Sequence, residues 1–362
     1  MSDRWRIALW LAAVVVVVLL GGVLAASSWV WRTLHEPYQG YATEEVLIDV
    51  PKGTDAASIL ESLDAQGVLA NARLARLYLI HRMGDPYLKA GEYRFHGPLS
   101  TPEVLVKLVR GEIVTHPVTV IEGLTLRETA AALAAAGFGD LGSFETAMDS
   151  PDRIADLDPT ATDLEGYLFP DTYQFAKGTT EGEIVSTMVA TFRKLYQEEI
   201  VPLLDPENEI TLRELVTLAS IVEKEAQLDE ERETIAGVYA HRRRRRMPLQ
   251  ADPTVIYALT KDGSYDGNLR RDDLKFDSPY NTYVYPGLPP GPIASPGLGS
   301  LAAAARPADV PYLYFVSRND GSHVFAKTLR EHNRNVNEWQ KVYWRKKWAE
   351  ERRQKAAEQP SN

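Results

Sequence analysis

No cysteine occurs anywhere in the 362 residues. Disulfides, thiolate nucleophiles and cysteine-ligated metal sites are therefore excluded. Nor is there a surplus of positive charge. Forty Lys and Arg face 50 Asp and Glu, giving a formal net charge of −10. That balance argues against nucleic acid as a partner, because nucleic-acid binding needs a basic face. Histidines are few. His323 and His332 lack metal-ligand spacing, and neither H-E-x-x-H nor G-x-S-x-G is present. No metal and no cofactor is expected. One stretch, DGSYDGNLRRDD, loosely matches an EF-hand loop, but Asp273 stands where a glutamate belongs.

What the chain does have begins at its N-terminus. Ile7 to Trp31 runs without a single charge. At about 1.5 Å per residue it is roughly 37 Å long, enough to span a bilayer with some tilt. A cleaved signal peptide has a shorter apolar run, so this segment reads as a retained anchor. Arg4 and Arg6 precede it, while Glu36, Glu44 and Glu45 follow soon after. The bias places the N-terminus inside the cell and the remainder outside the cytoplasm.

The rest is long enough for two or three domains. VLIDVPKGTDAASILESLDAQGVL reads as strand, turn and helix, with Thr54 or Asp55 as the cap. A second helix near 72–83 and a strand at LKAGEYRF follow. This part resembles a LysM module, a small βααβ unit that holds N-acetylglucosamine polymers. VPKGTDAASILESLDAQG is echoed by VIEGLTLRETAAALAAAG, either as a duplication or as the common grammar of a βα unit. Beyond residue 115, helices are expected at 126–136, 143–149, 182–197, 210–226 and 230–245. A breaker-rich loop, a hairpin around Asn319-Asp320-Gly321 and a charged helix from Leu329 complete the chain. Without a regular βαβ rhythm the fold class is α+β. The expected divisions are a cytoplasmic tail (1–6), a transmembrane helix (7–31), a linker (32–43), a LysM-like subdomain (44–115), a larger mixed α+β catalytic domain (116–345) and a charged tail (346–362).

Chemistry first suggests itself in LASIVEKEAQ. Leu212, Leu215, Val216, Ala219, Val222 and Ala226 draw one apolar stripe on a helix, and Glu223 falls within it. Glu225 lies roughly 200° round the helix from Glu223 at 100° per residue. A carboxyl against apolar surface holds its proton towards neutral pH, as a general acid must. The bland reading is a structural ion pair with an arginine such as Arg242 or Arg243. Ordinary glycoside hydrolysis needs a second carboxylate. Asp171 and Asp252 are candidates, although Asp252 before Pro253 also suits a helix cap. The run Arg242 to Arg246 reads as a solvated helix face or an anion contact. Tyr280, Asn281, Thr282 and Tyr283 place amides and rings together, as a sugar site would.

LEGYLFPDTY, LASIVEKEA, MPLQADPTVIYAL, SPYNTY, GLPPGPIASPG and YLYFVSRNDGSHVFAKTLREHNRNV occur in this order. Together they closely resemble the endolytic murein transglycosylases, the MltG/YceG-like family. The resemblance implies a single-pass inner-membrane protein with its catalytic domain in the periplasm. It implies a lyase (EC 4.2.2.-) that cuts the β-1,4 bond between N-acetylmuramic acid and N-acetylglucosamine within nascent peptidoglycan strands. The cut leaves a 1,6-anhydro end and terminates elongation. The resemblance makes Glu223 the catalytic glutamate, with peptidoglycan strands and peptidoglycan synthases as partners. Gln250, Asn281, Thr282 and Tyr283 are the expected substrate contacts. Two departures, His241 with the arginine run and Ala251, touch the neighbourhood of Gln250. The competing readings are a hydrolase (muramidase) using a second carboxylate and a non-enzymatic peptidoglycan-binding scaffold.

Overall fold

The computed structural model describes residues 3–205 and 210–358. It has a mixed α+β fold. The chain opens with helix α1, Asp3–His35, whose apolar residues from Ile7 to Trp29 are exposed. Its segment Arg6–His35 is long and apolar enough to cross a membrane. The chain divides into two compact units. One comprises Met1–Pro117 with Gln174–Gly178, the other Val118–Tyr173 with Thr179–Asn362.

In the first unit, β1 (Glu45–Val50), α2 (Ala56–Ala65), α3 (Ala72–Met83) and β2 (Gly91–His96) follow in βααβ order. The two strands pair antiparallel, from Glu45 opposite His96 to Val50 opposite Gly91. Asp55 caps α2, its carboxylate accepting from the amides of Ala57 and Ser58. Helix α4 (Thr101–Arg110) follows and opens on a Ser100/Glu103 capping box. Ile48, Leu60, Leu63, Leu79, Tyr93, Phe95, Leu105 and Leu108 form a closed core.

The second unit is mainly helical. Strand β3 (Thr115–Thr119), which begins in the first unit, leads to α5 (Leu126–Ala135) and α6 (Leu141–Met148). Strand β4 (Thr172–Ala176), whose residues from Gln174 belong to the first unit, precedes α7 (Glu181–Leu195). Then come α8 (Leu212–Glu225), α9 (Arg232–Arg244) and α10 (Asp252–Asp262). Helix α11 (Leu298–Ala305), the hairpin β5 (Tyr314–Ser317) and β6 (His323–Ala326), α12 (Leu329–Val336) and α13 (Tyr343–Glu358) complete the chain.

Helix α8 organises this unit, packing against α9, α10 and α11. Its sequence pattern implies one buried stripe. Instead every residue from Leu215 to Val222 is buried, Thr217 and Ser220 included. A helix enclosed on all sides has no solvent face for a stripe to oppose. Solvent access returns at the last turn, Glu223 to Glu225.

Gly166, in the LEGYLFPDTY stretch, shows how tightly the helix is held. Its φ is +84°, and a Cβ there would lie 2.5 Å from Pro292 and 2.8 Å from Val216. Gly166→Ala combines a left-handed backbone with overpacking, and is expected to destabilise by about 2–4 kcal/mol. Urea unfolding monitored by circular dichroism would measure it.

Candidate active site

The exposed end of α8 carries Glu223 and Glu225, which meet different surroundings. The Glu223 side chain is 7% exposed and ion-paired. Its Oε2 accepts from Arg232 Nη1 at 3.0 Å and from the Gly297 amide at 3.0 Å. Arg232 is itself enclosed. Its Nε donates to Asp229 at 3.0 Å, its Nη1 also donates to the Ser300 hydroxyl, and its Nη2 lies 3.8 Å from Glu122. Burial, and then the charge of Glu223, raise the Glu122 carboxyl above its ordinary value. Lys224 turns away and donates to the Gly123 carbonyl at 3.0 Å. The glutamate expected to be an apolar-pocketed acid is thus a strut in an ion-pair network. The stripe argument could not foresee this, because Arg232 arrives from the next helix.

Glu225 opens into a cavity of about 510 Å³. Gln250, Asp252 and Tyr283 line it from one side, and Tyr314, His323 and His332 from another. The Tyr239 hydroxyl donates to Glu225 Oε1 at 2.8 Å. Burial is the largest influence on this carboxyl and lifts it from 4.5 to about 7. The charge of Asp252 pushes the same way, while the Tyr239 hydrogen bond and Arg242 oppose. Here is a carboxyl that keeps a substantial share of its proton at neutral pH, beside open space. Its signal in the sequence is weak, since it sits off the apolar stripe and next to a lysine.

Asp252 stands at the first position of α10, where the sequence suggests a cap. The cap position is Ala251, and no side chain closes the turn. The Asp252 carboxylate instead accepts from the Tyr283 hydroxyl at 2.5 Å. Both groups are thereby fixed on the cavity wall. Asp171 lies elsewhere, against the amide of Thr172.

The four expected substrate contacts separate into two pairs. Gln250 and Tyr283 line the cavity. Gln250 has φ +49°, unusual for a residue with a side chain, and its backbone amide donates to the Thr282 carbonyl at 3.2 Å. Asn281 and Thr282 are fully buried. Asn281 Nδ2 donates to the carbonyls of Leu274 and Phe276, and its Oδ1 accepts from the Tyr283 amide at 2.9 Å. The Thr282 hydroxyl accepts from the Ala251 amide at 3.0 Å and lies 2.9 Å from that of Thr254. Every polar group on these two side chains is occupied, so they shape the wall rather than face a ligand.

The arginine run is also divided. Arg242 is buried, bonded to the carbonyls of Leu313 and Leu249, with its guanidinium 5.2 Å from the Tyr314 ring. Arg243 pairs with Glu214 at 2.7 Å. Arg244, Arg245 and Arg246 are exposed. In the EF-hand-like stretch, Asp266 is held by Arg270 and Asp273 by the Arg270 amide. Among the described residues no His, Asp and Glu group could hold a metal ion.

A second buried carboxyl, Glu165, went unnoticed in the sequence. It accepts from Tyr257 at 3.1 Å and from the Leu126 amide at 3.0 Å, and burial raises it to about 8. It joins three elements and does not line the cavity.

Comparison with known proteins places these residues in context. The model of the YceG-like family matches residues 48–338. An endolytic murein transglycosylase of Bacillus subtilis is 33% identical over 84% of this chain and 87% of its own length. One from Streptococcus pneumoniae is 31% identical over 83% of this chain, which spans 60% of that longer protein. The crystal structure of a yceG-like protein from Listeria monocytogenes superposes with a TM-score of 0.53. It is 33% identical, covering 81% of this chain and 99% of its own.

Proposed function

This chain belongs to the YceG-like family, and from that premise we propose that it is an endolytic murein transglycosylase whose acid–base residue is Glu225. The observation that carries the assignment is the cavity at Glu225, with a carboxyl raised to about 7 on its wall. Glu223, which the sequence favours, is already bound to Arg232.

The chemistry requires one group to give and then take a proton. Protonated Glu225 donates to the glycosidic oxygen as the bond to C1 of the muramic residue breaks. The resulting carboxylate takes the proton of the C6 hydroxyl, which closes onto C1. The nucleophile belongs to the same sugar, so its effective concentration is high and no water enters. Asp252 supports the first step by keeping the proton on Glu225, and Tyr239 orients the carboxyl. Gln250 and Tyr283 are proposed as saccharide contacts.

We further propose the partition of the chain. Residues 7–31 anchor the protein in the inner membrane with the N-terminus in the cytoplasm. Residues 44–115, with their βααβ order, form a LysM-like subdomain that meets glycan, and residues 116–345 form the catalytic domain in the periplasm. A link to peptidoglycan synthases follows from cutting strands as they are made.

The presence of Asp252 in the same cavity favours one competitor, a hydrolase that uses both carboxylates. Incubating the full-length chain with uncrosslinked glycan strands decides between them. Anhydro ends, lighter by one water per cut, support the lyase; reducing ends support the hydrolase.

The pH dependence follows from the acid. Cleavage requires protonated Glu225, so kcat/KM falls as pH rises through about 7. Asp252→Asn removes a neighbouring negative charge, which lowers the carboxyl's affinity for its proton. The alkaline fall is then expected at lower pH, measured from initial rates across a pH series.

A further inference from the structure

We propose that His332 contacts the glycan directly, its Nε2–H donating a hydrogen bond to an uncharged oxygen of the saccharide held beside Glu225. The inference rests on the glycan-cleaving reading of that cavity and adds a specific donor to it.

His332 lies on α12 and lines the cavity together with Glu225, Gln250 and Tyr283. Its ring stacks on Tyr314, with centroids 5.2 Å apart and planes at 25°. Tyr314 is held in turn by the Arg242 guanidinium. The imidazole is therefore fixed in orientation before any ligand arrives. Yet among the described residues it has no hydrogen-bond partner, and its Nδ1 is buried. His323, on the same cavity, differs: its Nδ1 lies 2.7 Å from Glu231 Oε2.

The buried Nδ1 decides the tautomer. A proton there would be an N–H sealed from water with nothing to receive it, a costlier defect than a bare lone pair. The proton accordingly resides on Nε2. Full protonation would bury the same orphan N–H and add a charge near Arg242. Burial and Arg242 both lower the imidazole's affinity for a proton, in keeping with a neutral ring. What His332 presents is a rigid, uncharged donor. Such a donor suits a sugar hydroxyl or an acetamido carbonyl. An anionic group is disfavoured by Asp252 and by Glu225 once ionised, both on the same cavity.

Two substitutions separate this role from packing. His332→Phe keeps a ring for Tyr314 and removes the donor. His332→Gln supplies an amide N–H at a similar reach. Both are made in the full-length chain carrying Glu225→Gln, which holds strands without turnover, and binding of uncrosslinked glycan is measured. The Phe variant is expected to bind about tenfold more weakly, the loss of one hydrogen bond, and the Gln variant to recover most of that. Nitrogen NMR of labelled histidine should show the Nε2–H tautomer in the free protein and a shift of that proton when glycan is added. Equal binding by parent and Phe variant, or a proton found on Nδ1, overturns the proposal. Should the Phe variant not fold, the Gln variant and the NMR signal decide alone. A parent enzyme that gives no anhydro ends would sink the transglycosylase reading and leave this binding comparison intact.

Discussion

Glutamine in place of Glu225 is expected to slow glycan cleavage by about 10²–10⁴-fold, the usual range for loss of a general acid–base group. The substitution preserves size, and its amide oxygen still accepts from Tyr239. What disappears is the proton, needed first at the leaving oxygen and then taken back from the C6 hydroxyl. Because the carboxyl already favours its neutral form up to about pH 7, the neutral amide places no new burden on the fold. Anhydro-end formation should therefore collapse while the thermal midpoint stays close to that of the parent. A variant that loses both would mean that Glu225 serves the fold instead.

The largest effect on stability is expected at the neighbouring glutamate's partner. Arg232→Met leaves Glu223, whose side chain is 7% exposed, without its counter-ion, and removes the positive charge facing Glu122 as well. Breaking an enclosed pair from one side costs about 3–5 kcal/mol, since the remaining charge is stranded. Glu223→Gln is milder. It removes one charge but keeps an oxygen for Arg232 and for the Gly297 amide. It should cost stability and still allow cleavage at temperatures where the protein is folded. Denaturant midpoints for the two variants, read beside their rates, separate the strut from the acid.

These two glutamates also mark how far the sequence is legible. The sequence locates helix α8 to within two residues because its apolar spacing is a local signal. Helix α3 and the β5–β6 hairpin are local in the same sense. Helix α11 was missed, since its alanine-rich run follows a loop dense in proline and glycine. The division of labour within Glu223-Lys224-Glu225 is not local at all. It depends on Arg232 and Tyr239 from α9, Gly297 before α11, and Asp252 at the start of α10. Periodicity identifies a carboxylate near a core but not which partner the rest of the chain brings to it. Asn281 and Thr282 misled for a related reason. Their residue types suit a sugar, but burial commits them to backbone groups.

The most direct test of the account is cleavage of uncrosslinked strands in heavy-oxygen water, followed by mass spectrometry of the new ends. If Glu225 gives its proton to the departing glucosamine oxygen and takes one from the C6 hydroxyl of the muramic residue, the ends form without solvent and carry no heavy oxygen. One heavy oxygen per cut would show that water is the nucleophile and would contradict the mechanism proposed for this site.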